Sequence, residues 1–448
     1  MDTPTALRVA TNATAKFAKQ NAPTRVKNVL NDAKHLGANG VNTVLNSKVG
    51  RMAADKTNQL IEKVRSGPAL SFGNTIKKAG TLKVLGDFGN TDAITQIMII
   101  LIGLLFFVIS FWCFNKLSLN AKNCKNLTAL YSDFPLISSI SPSNPNHQYK
   151  MRDYYIKTAY NCCSGGNFKN DFVNLCALKN CIKQGARCLD FEIYSIGGVP
   201  AISVSSKKDY NVKEAYNSIL FADAMTVVST YAFSGGTCPN PNDPLILHFR
   251  FMSNNAKIYD QMATILYNTM ENQLLGKNFS YEDDGQNIGS YPISRLMGQV
   301  IIMADKSNTV FSSTKINEYV NITSNSVFVR NMRYTDVKFC PDADELLEYN
   351  KQNMTICLPD LSGKNKNYSP ALVMSYGCQF VGMSFQNFDP YMQYYTEMFD
   401  DAGSAFILRP ERYRYIPLFI VKPPPQDPNY SYANRDFTPA EGIKTSPI

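Results

Sequence analysis

The stretch Gly185 to Tyr194, GARCLDFEIY, sets two carboxylates, Asp190 and Glu192, two residues apart in an otherwise apolar run. In a strand, a side-chain period of two puts both acids on one face and Leu189, Phe191 and Ile193 on the other. Like charges side by side on a buried face need something to hold them. Three readings stand at this point: a bound metal, a shared proton in a catalytic pair, or a cation of the chain itself.

Around this run, from about Met151 to Val421, short apolar segments alternate with helical ones. DYYIKTAY, ARCLDFEIY, PAISVS, PLILHFRF, QVIIMAD, CQFVGMSF and SAFILRP read as strands, while ILFADAMTVVSTYAF and KIYDQMATILYNTMENQLL have helical spacing. Strands interleaved with helices over such a length predict an α/β domain built on a parallel sheet. That sheet is either open or closed as a (β/α)8 TIM barrel, for which ~250 residues is typical. The 448-residue chain is 44% hydrophobic and 12% aromatic, which excludes wholesale disorder.

A different signal stands at Ala93 to Phe114, AITQIMIILIGLLFFVISFWCF, which carries no charge. About 20 such residues cross a ~30 Å hydrocarbon core, so this segment reads as one transmembrane helix rather than an N-terminal signal peptide. The formal charge of +9 is concentrated ahead of it, since residues 1–92 hold 14 Lys+Arg against 6 Asp+Glu. That basic segment reads as loosely helical, either solvated or resting on a membrane surface or acidic partner. It favours a cytoplasmic N-terminus, with the remainder lumenal or exterior. Sequons at Asn126, Asn278, Asn321, Asn353, Asn367 and Asn429, and ten of eleven cysteines, follow the helix and fit that side.

Residues 115–149, with NAKNCKN and SPSNPN, read as a linker, and residues 422–448 as an extended Pro-rich tail. Cys162, Cys163, Cys176, Cys181, Cys238, Cys340 and Cys357 are disulfide candidates, with Cys340–Cys357 preferred on sequence proximity. Cys188 and Cys378 read as buried hydrophobes. No Walker A loop, GxSxG elbow or HExxH motif is present, and no nucleic-acid partner is expected.

From about Asp153 to Arg414 the motifs resemble the catalytic barrel of phosphoinositide-specific phospholipase C, in both its X and Y halves. DYYIKTAYN is similar to that family's first strand and QGARCLDFEIY to its second. ILFADAMTVVSTYAF with PLILHFRF resembles the helix and strand that follow, and NYSP, GCQFVGMSFQNFD and FDDAGSAFILRP resemble the Y half, the last closing the barrel. The resemblance implies a PLC-like (β/α)8 barrel over residues 150–421, acting on a phospholipid through two histidines and Ca²⁺. In that chemistry Ca²⁺ is held by an Asn and three acids, because a hard cation wants several oxygens.

Carried over residue by residue, the resemblance implies a depleted site. The first catalytic His falls on Tyr160 and the second near Val204, and the sequence has no histidine between His147 and His248. The metal set survives as Asn161, Asp190 and Glu192, but its last member falls on Arg250. Strand parity turns Arg250 and His248 to one face, so the guanidinium is the natural partner of both acids. The phosphate-binding lysines fall on Met303 and Asp305, with Lys306 nearby, and the ring-gripping Arg and Tyr on Ile356 and Leu358.

The expectation is therefore a single-pass membrane protein with an inactive PLC-like barrel, a vestigial metal site and no cofactor. It would bind phospholipid headgroups or another membrane or envelope protein, and an anchored Asn-rich barrel of this kind fits a viral source. The alternative is an active phosphoric diester hydrolase in which Arg250 replaces Ca²⁺ and His248 or Tyr160 moves protons; Ca²⁺ would matter only if the metal site were retained.

Overall fold

Ala93–Leu130 forms one uninterrupted helix, α1. Every large apolar side chain from Ile97 to Phe114 on it is exposed, and none of them is buried against the other described residues. A helix apolar all round and uncovered matches a lipid environment, and among the described residues it is the one helix long and apolar enough to span a membrane. The computed structural model describes residues 93–276, 279 and 287–417. The basic N-terminal segment, the Pro-rich tail and the sequons Asn278 and Asn429 lie outside the described residues.

At 1.5 Å per residue α1 is about 57 Å long, close to twice a hydrocarbon core. A single hydrocarbon core could therefore take up only about half of it. The stretch read as a linker begins as the other half, and the helix stops where Tyr131 turns in and Pro135 follows. Leu127, Tyr131, Ile137 and Ile140 are then buried, so this connection is packed against the domain that it precedes.

In chain order the described strands are β1 (Tyr154–Ala159), β2 (Cys188–Ile196), β3 (Val199–Ser203), β4 (Ile219–Leu220), β5 (Leu245–Phe251), β6 (Val300–Asp305), β7 (Ile322–Ser324), β8 (Val329–Arg333), β9 (Met354–Leu358), β10 (Phe380–Met383) and β11 (Phe406–Leu408). Helices α2 (Leu175–Lys183), α3 (Phe221–Tyr231), α4 (Ala256–Met270), α5 (Tyr334–Lys338), α6 (Ala343–Gln352), α7 (Pro370–Ser375) and α8 (Pro390–Ala402) lie between them. Eight strands pair in parallel in the order β7-β6-β5-β2-β1-β10-β9-β8. The ring is nearly closed, its seam lying between β7 and β8, which no ladder joins. This is the expected (β/α)8 architecture.

Two segments differ from their sequence reading. SAFILRP does not close the ring, because β11 pairs antiparallel with β1, outside the eight. PAISVS is no barrel strand either: β2 runs past the barrel and folds back as a hairpin with β3. Gly197 and Gly198 make that turn with φ of 61° and 78°, a left-handed pair that two side-chain-bearing residues would adopt only with strain.

The expected Cys340–Cys357 bridge is not formed. Cys357 is buried within β9, while Cys340 lies half-exposed beyond α5, so nearness in sequence does not bring them together. The disulfide among the described residues instead joins Cys124 on α1 to Cys176 on α2. Of the described sequons, Asn321 and Asn367 are buried, with side chains bonded to the backbone at Ile302 and Ser384, so neither can carry a glycan in the folded chain. Asn126 is exposed and Asn353 half-exposed.

Candidate functional site

The parallel register of β2 against β5 places Asp190 beside His248 and Glu192 beside Arg250. Alternation then turns all four into the barrel, while Phe191 and Phe249 face the helix layer beside Phe221. Asn161, just past the end of β1, completes the group and holds a left-handed φ of 44°, which Asn tolerates better than most residues.

Every carboxylate oxygen in this group is occupied. Asp190 Oδ1 accepts from Arg250 Nε at 2.9 Å and lies 2.8 Å from His248 Nδ1. Its Oδ2 accepts from Arg250 Nη2 at 2.7 Å and from the Asn161 amide at 3.1 Å. Glu192 Oε1 accepts from Arg250 Nη1 at 2.8 Å, and Oε2 from Tyr194 Oη at 2.8 Å and the Ser205 amide at 2.9 Å. Arg250 Nη2 also donates to Asn161 Oδ1 at 2.8 Å, and the guanidinium lies 5.0 Å from the centre of the Tyr160 ring.

Burial alone would raise the Asp190 carboxyl, but the charge of Arg250 and hydrogen bonds from His248 and Arg250 hold it well below the usual carboxylate range. Burial works against the Arg250 cation, and the charges of Asp190 and Glu192 outweigh it, so its pKa rises further. The two acids and the guanidinium form a buried, charge-assisted triad with good geometry, the condition under which such a group is tolerated.

Calcium takes roughly six to eight oxygens at about 2.3–2.6 Å. The oxygens of Asn161, Asp190 and Glu192 that would supply them are spent on Arg250 and its neighbours, and the Arg250 cation lies among them. These residues do not fit a divalent ion, and among the described residues no three His, Cys, Asp or Glu side chains converge on another metal position.

The other positions singled out from the sequence are apolar or already bonded. Met303, Ile356 and Leu358 are buried in β6 and β9. Val204 is buried, its carbonyl accepting from the amides of Glu214 and Ala215. Asp305 lies at the mouth, accepting from Asn325 and the Ser307 amide. The Tyr160 hydroxyl accepts from Arg333 Nη1 at 3.2 Å, and the residue is buried.

Arg333 is the functional-site residue that sequence reading misses. It stands at the end of β8, donates to the Pro359 carbonyl at 2.8 Å, and with Arg250, Lys207, Lys208, Asp305 and Asn331 lines a mouth cavity of about 180 Å³. Tyr194 and Ser205, which complete the Glu192 shell, were also unmarked, although Tyr194 shares the face of Glu192 by strand parity. His248 forms a further chain, from Asp190 through the ring to Ser324 Oγ at 2.9 Å. This has the connectivity of an acid–base–hydroxyl triad, but Ser324 and His248 are fully buried and neither reaches the mouth cavity.

The fold is that of a phospholipase C-like barrel in which Arg250 is bonded to Asn161, Asp190 and Glu192, and one candidate membrane-spanning helix precedes it. Residues 301–412 match the family described as phosphatidylinositol-specific phospholipase C, Y domain. In fold the chain is similar to the crystal structure of PLC21 from S. officinalis, with 18% identity and a TM-score of 0.52 over 65% of this chain and 40% of that one. PLC21 from L. pealei gives 19% identity and a TM-score of 0.51 over 60% and 38% of the two chains. The chain thus spans about 40% of the length of these relatives, and at such identity the likeness establishes the barrel.

Proposed function

We propose that this chain is a single-pass membrane protein whose phospholipase C-like barrel does not cleave phosphoinositides and serves as a binding or structural module. The observation that carries this reading is the Arg250 guanidinium bonded to both Asp190 and Glu192. A fixed cation there cannot polarise an inositol hydroxyl and a phosphoryl oxygen by direct ligation as a dication does. Among the described residues no imidazole lines the mouth cavity to move the proton, and His248 is sequestered between Asp190 and Ser324.

The test is direct. Full-length protein in mixed vesicles with inositol-labelled phosphatidylinositol is expected to release no inositol phosphate above the vesicle blank, with or without Ca²⁺. Release that disappears on Asp190→Asn would refute the reading. A second reading, metal-independent hydrolysis, is favoured by the Asp190–His248–Ser324 chain; it requires the barrel to open so that His248 meets lipid, and it predicts metal-independent release abolished by His248→Asn.

We further propose that the barrel lies on the lumenal or exterior side. The Cys124–Cys176 bridge, which persists in oxidising compartments, and the surface position of Asn126 support this. Expression in a glycosylating host is expected to give a glycosidase-sensitive form whose mobility shift is reduced by Asn126→Gln and Asn353→Gln, with Asn321 and Asn367 unmodified. Protease protection of the barrel in sealed cytosol-side-out vesicles should accompany it; barrel digestion in such vesicles contradicts the assignment.

A further inference from the structure

A groove of about 490 Å³ lies on the flank of the barrel and shares no residue with the mouth cavity. Its walls come from the end of α1, from α2 and from the end of α3. On α2, Cys176, Lys179 and Lys183 follow one another at spacings of three and four, so one face of that helix lines the groove. The bond from Cys176 to Cys124 ties α2 to α1, and this wall is therefore set before any ligand arrives. Phe134, just past the end of α1, and Tyr231, at the end of α3, supply aromatic walls. The Phe134 ring is exposed to water.

The charge of the groove is one-sided. Lys179 Nζ lies 4.6 Å from the centre of the Tyr231 ring and Lys183 Nζ 5.3 Å from that of Phe134, so both ammonium groups stand over aromatic faces. Lys183 also donates to the Ser132 carbonyl at 2.6 Å. Among the described residues Lys179 Nζ has no hydrogen-bond acceptor and no carboxylate partner, and no Asp or Glu lines the groove. Two cations one helical turn apart, set over aromatic rings and without a counter-charge, complement an anion that carries its own apolar group.

The position of the groove along α1 decides which anion. The apolar stretch ends at Phe114, and Cys124 comes ten residues later, about 15 Å farther along the axis. With that stretch as the span, the groove begins beyond the headgroup layer, which adds roughly 5–8 Å on each side of the hydrocarbon core. A lipid surface does not reach that far, whereas a protein segment does. We propose that the flank groove is a docking site for an acidic peptide segment of a partner protein on the same side of the membrane, its apolar side chain between Phe134 and Tyr231 and its carboxylates on Lys179 and Lys183. The choice of protein over lipid rests on the reading of α1 as a span, and the site holds whether or not the barrel cleaves phospholipid.

The probes are fluorescein-labelled Gly-Ser-Glu-Leu-Phe-Glu-Ser-Gly and its counterpart with lysine for both glutamates, titrated by fluorescence anisotropy with full-length protein in phosphatidylcholine nanodiscs. The acidic peptide is expected to bind saturably and the basic one not to bind. Lys179→Glu/Lys183→Glu should weaken the acidic peptide by at least about tenfold and admit the basic one. Lys315→Glu/Lys338→Glu, at exposed lysines beyond β6 and on α5, controls for general positive charge and should change the affinity by less than about twofold. Lys179→Gln/Lys183→Gln, which removes the charges without reversing them, repeats the measurement should the reversal impair folding. Absence of saturable binding, or an equal loss in the control pair, overturns the proposal. So does either sign of another occupant: binding to phosphatidylserine vesicles that is lost in Lys179→Glu/Lys183→Glu, which assigns the groove to a lipid surface, or pairing of wild-type nanodiscs lost in the same variant, which assigns it to a second copy of the chain.

Discussion

Replacing Arg250 with alanine is expected to destabilise the barrel by about 3–5 kcal/mol, because it leaves two ionised carboxylates buried without their cation. Against a total stability on the order of 5–15 kcal/mol, that is a large fraction, and a fall in melting temperature of about 10 °C is expected. The loss arises from desolvated charge, so it should be recovered in part by removing the charge. Arg250→Met combined with Asp190→Asn and Glu192→Gln should melt several degrees above Arg250→Ala alone.

Two further readouts separate this account from simple loss of packing. Asp190 is held below its unfolded value of ~3.9, so its contribution is complete above that value and is lost as pH falls through the depressed folded value. In Arg250→Ala burial dominates and raises the same carboxyl, which penalises the variant at neutral pH and relieves it in acid. The stability gap between wild type and Arg250→Ala should therefore narrow as pH falls below about 5. Millimolar Ca²⁺ should raise the melting temperature of Arg250→Ala, whose acids have lost their partner, and leave the wild type unmoved. Ca²⁺ stabilisation of the wild type, or an Arg250→Ala variant within about 1 kcal/mol of it, would show that the guanidinium does not hold the site.

The triad is legible in the sequence because it depends on one short-range rule. Asp190 with Glu192, and His248 with Arg250, are each two residues apart in apolar strands, so parity alone puts each pair on one face. What parity cannot supply is register between strands, which the closed sheet fixes, and Arg333 shows the cost. Its strand, VRNMR, is rich in polar residues and has no clean alternation, and its approach to Tyr160 comes from a turn of the chain 173 residues away. The β2–β3 hairpin was misplaced for a related reason: a long strand that outruns its barrel looks the same in sequence as one that ends within it.

Loss of the Cys124–Cys176 bridge is the other large effect expected, and it concerns how the barrel meets its membrane helix. The two sulfurs close 52 residues of chain, which include the end of α1, the packed connection and β1. By loop-closure entropy such a bond destabilises the unfolded chain by roughly 4 kcal/mol, within the range seen when native disulfides are removed. Sequence reading passed over it because Cys124 fell in a stretch taken as a linker, where no fixed geometry is implied. The continuous helix supplies that geometry, presenting Cys124 one turn after Asn120, which faces the same α2 terminus through Asn174. Cys124→Ser/Cys176→Ser should lower the melting temperature by about 8–15 °C and admit protease between Tyr131 and Gln148. The Asn120–Asn174 and Asn123–Asp171 bonds remain in that variant, but they are part-buried polar contacts worth about 1 kcal/mol each and do not replace a covalent tie. Alkylation of Cys124 in the native, unreduced protein would show the bridge absent, removing both the stability term and the main support for an oxidising compartment around the barrel.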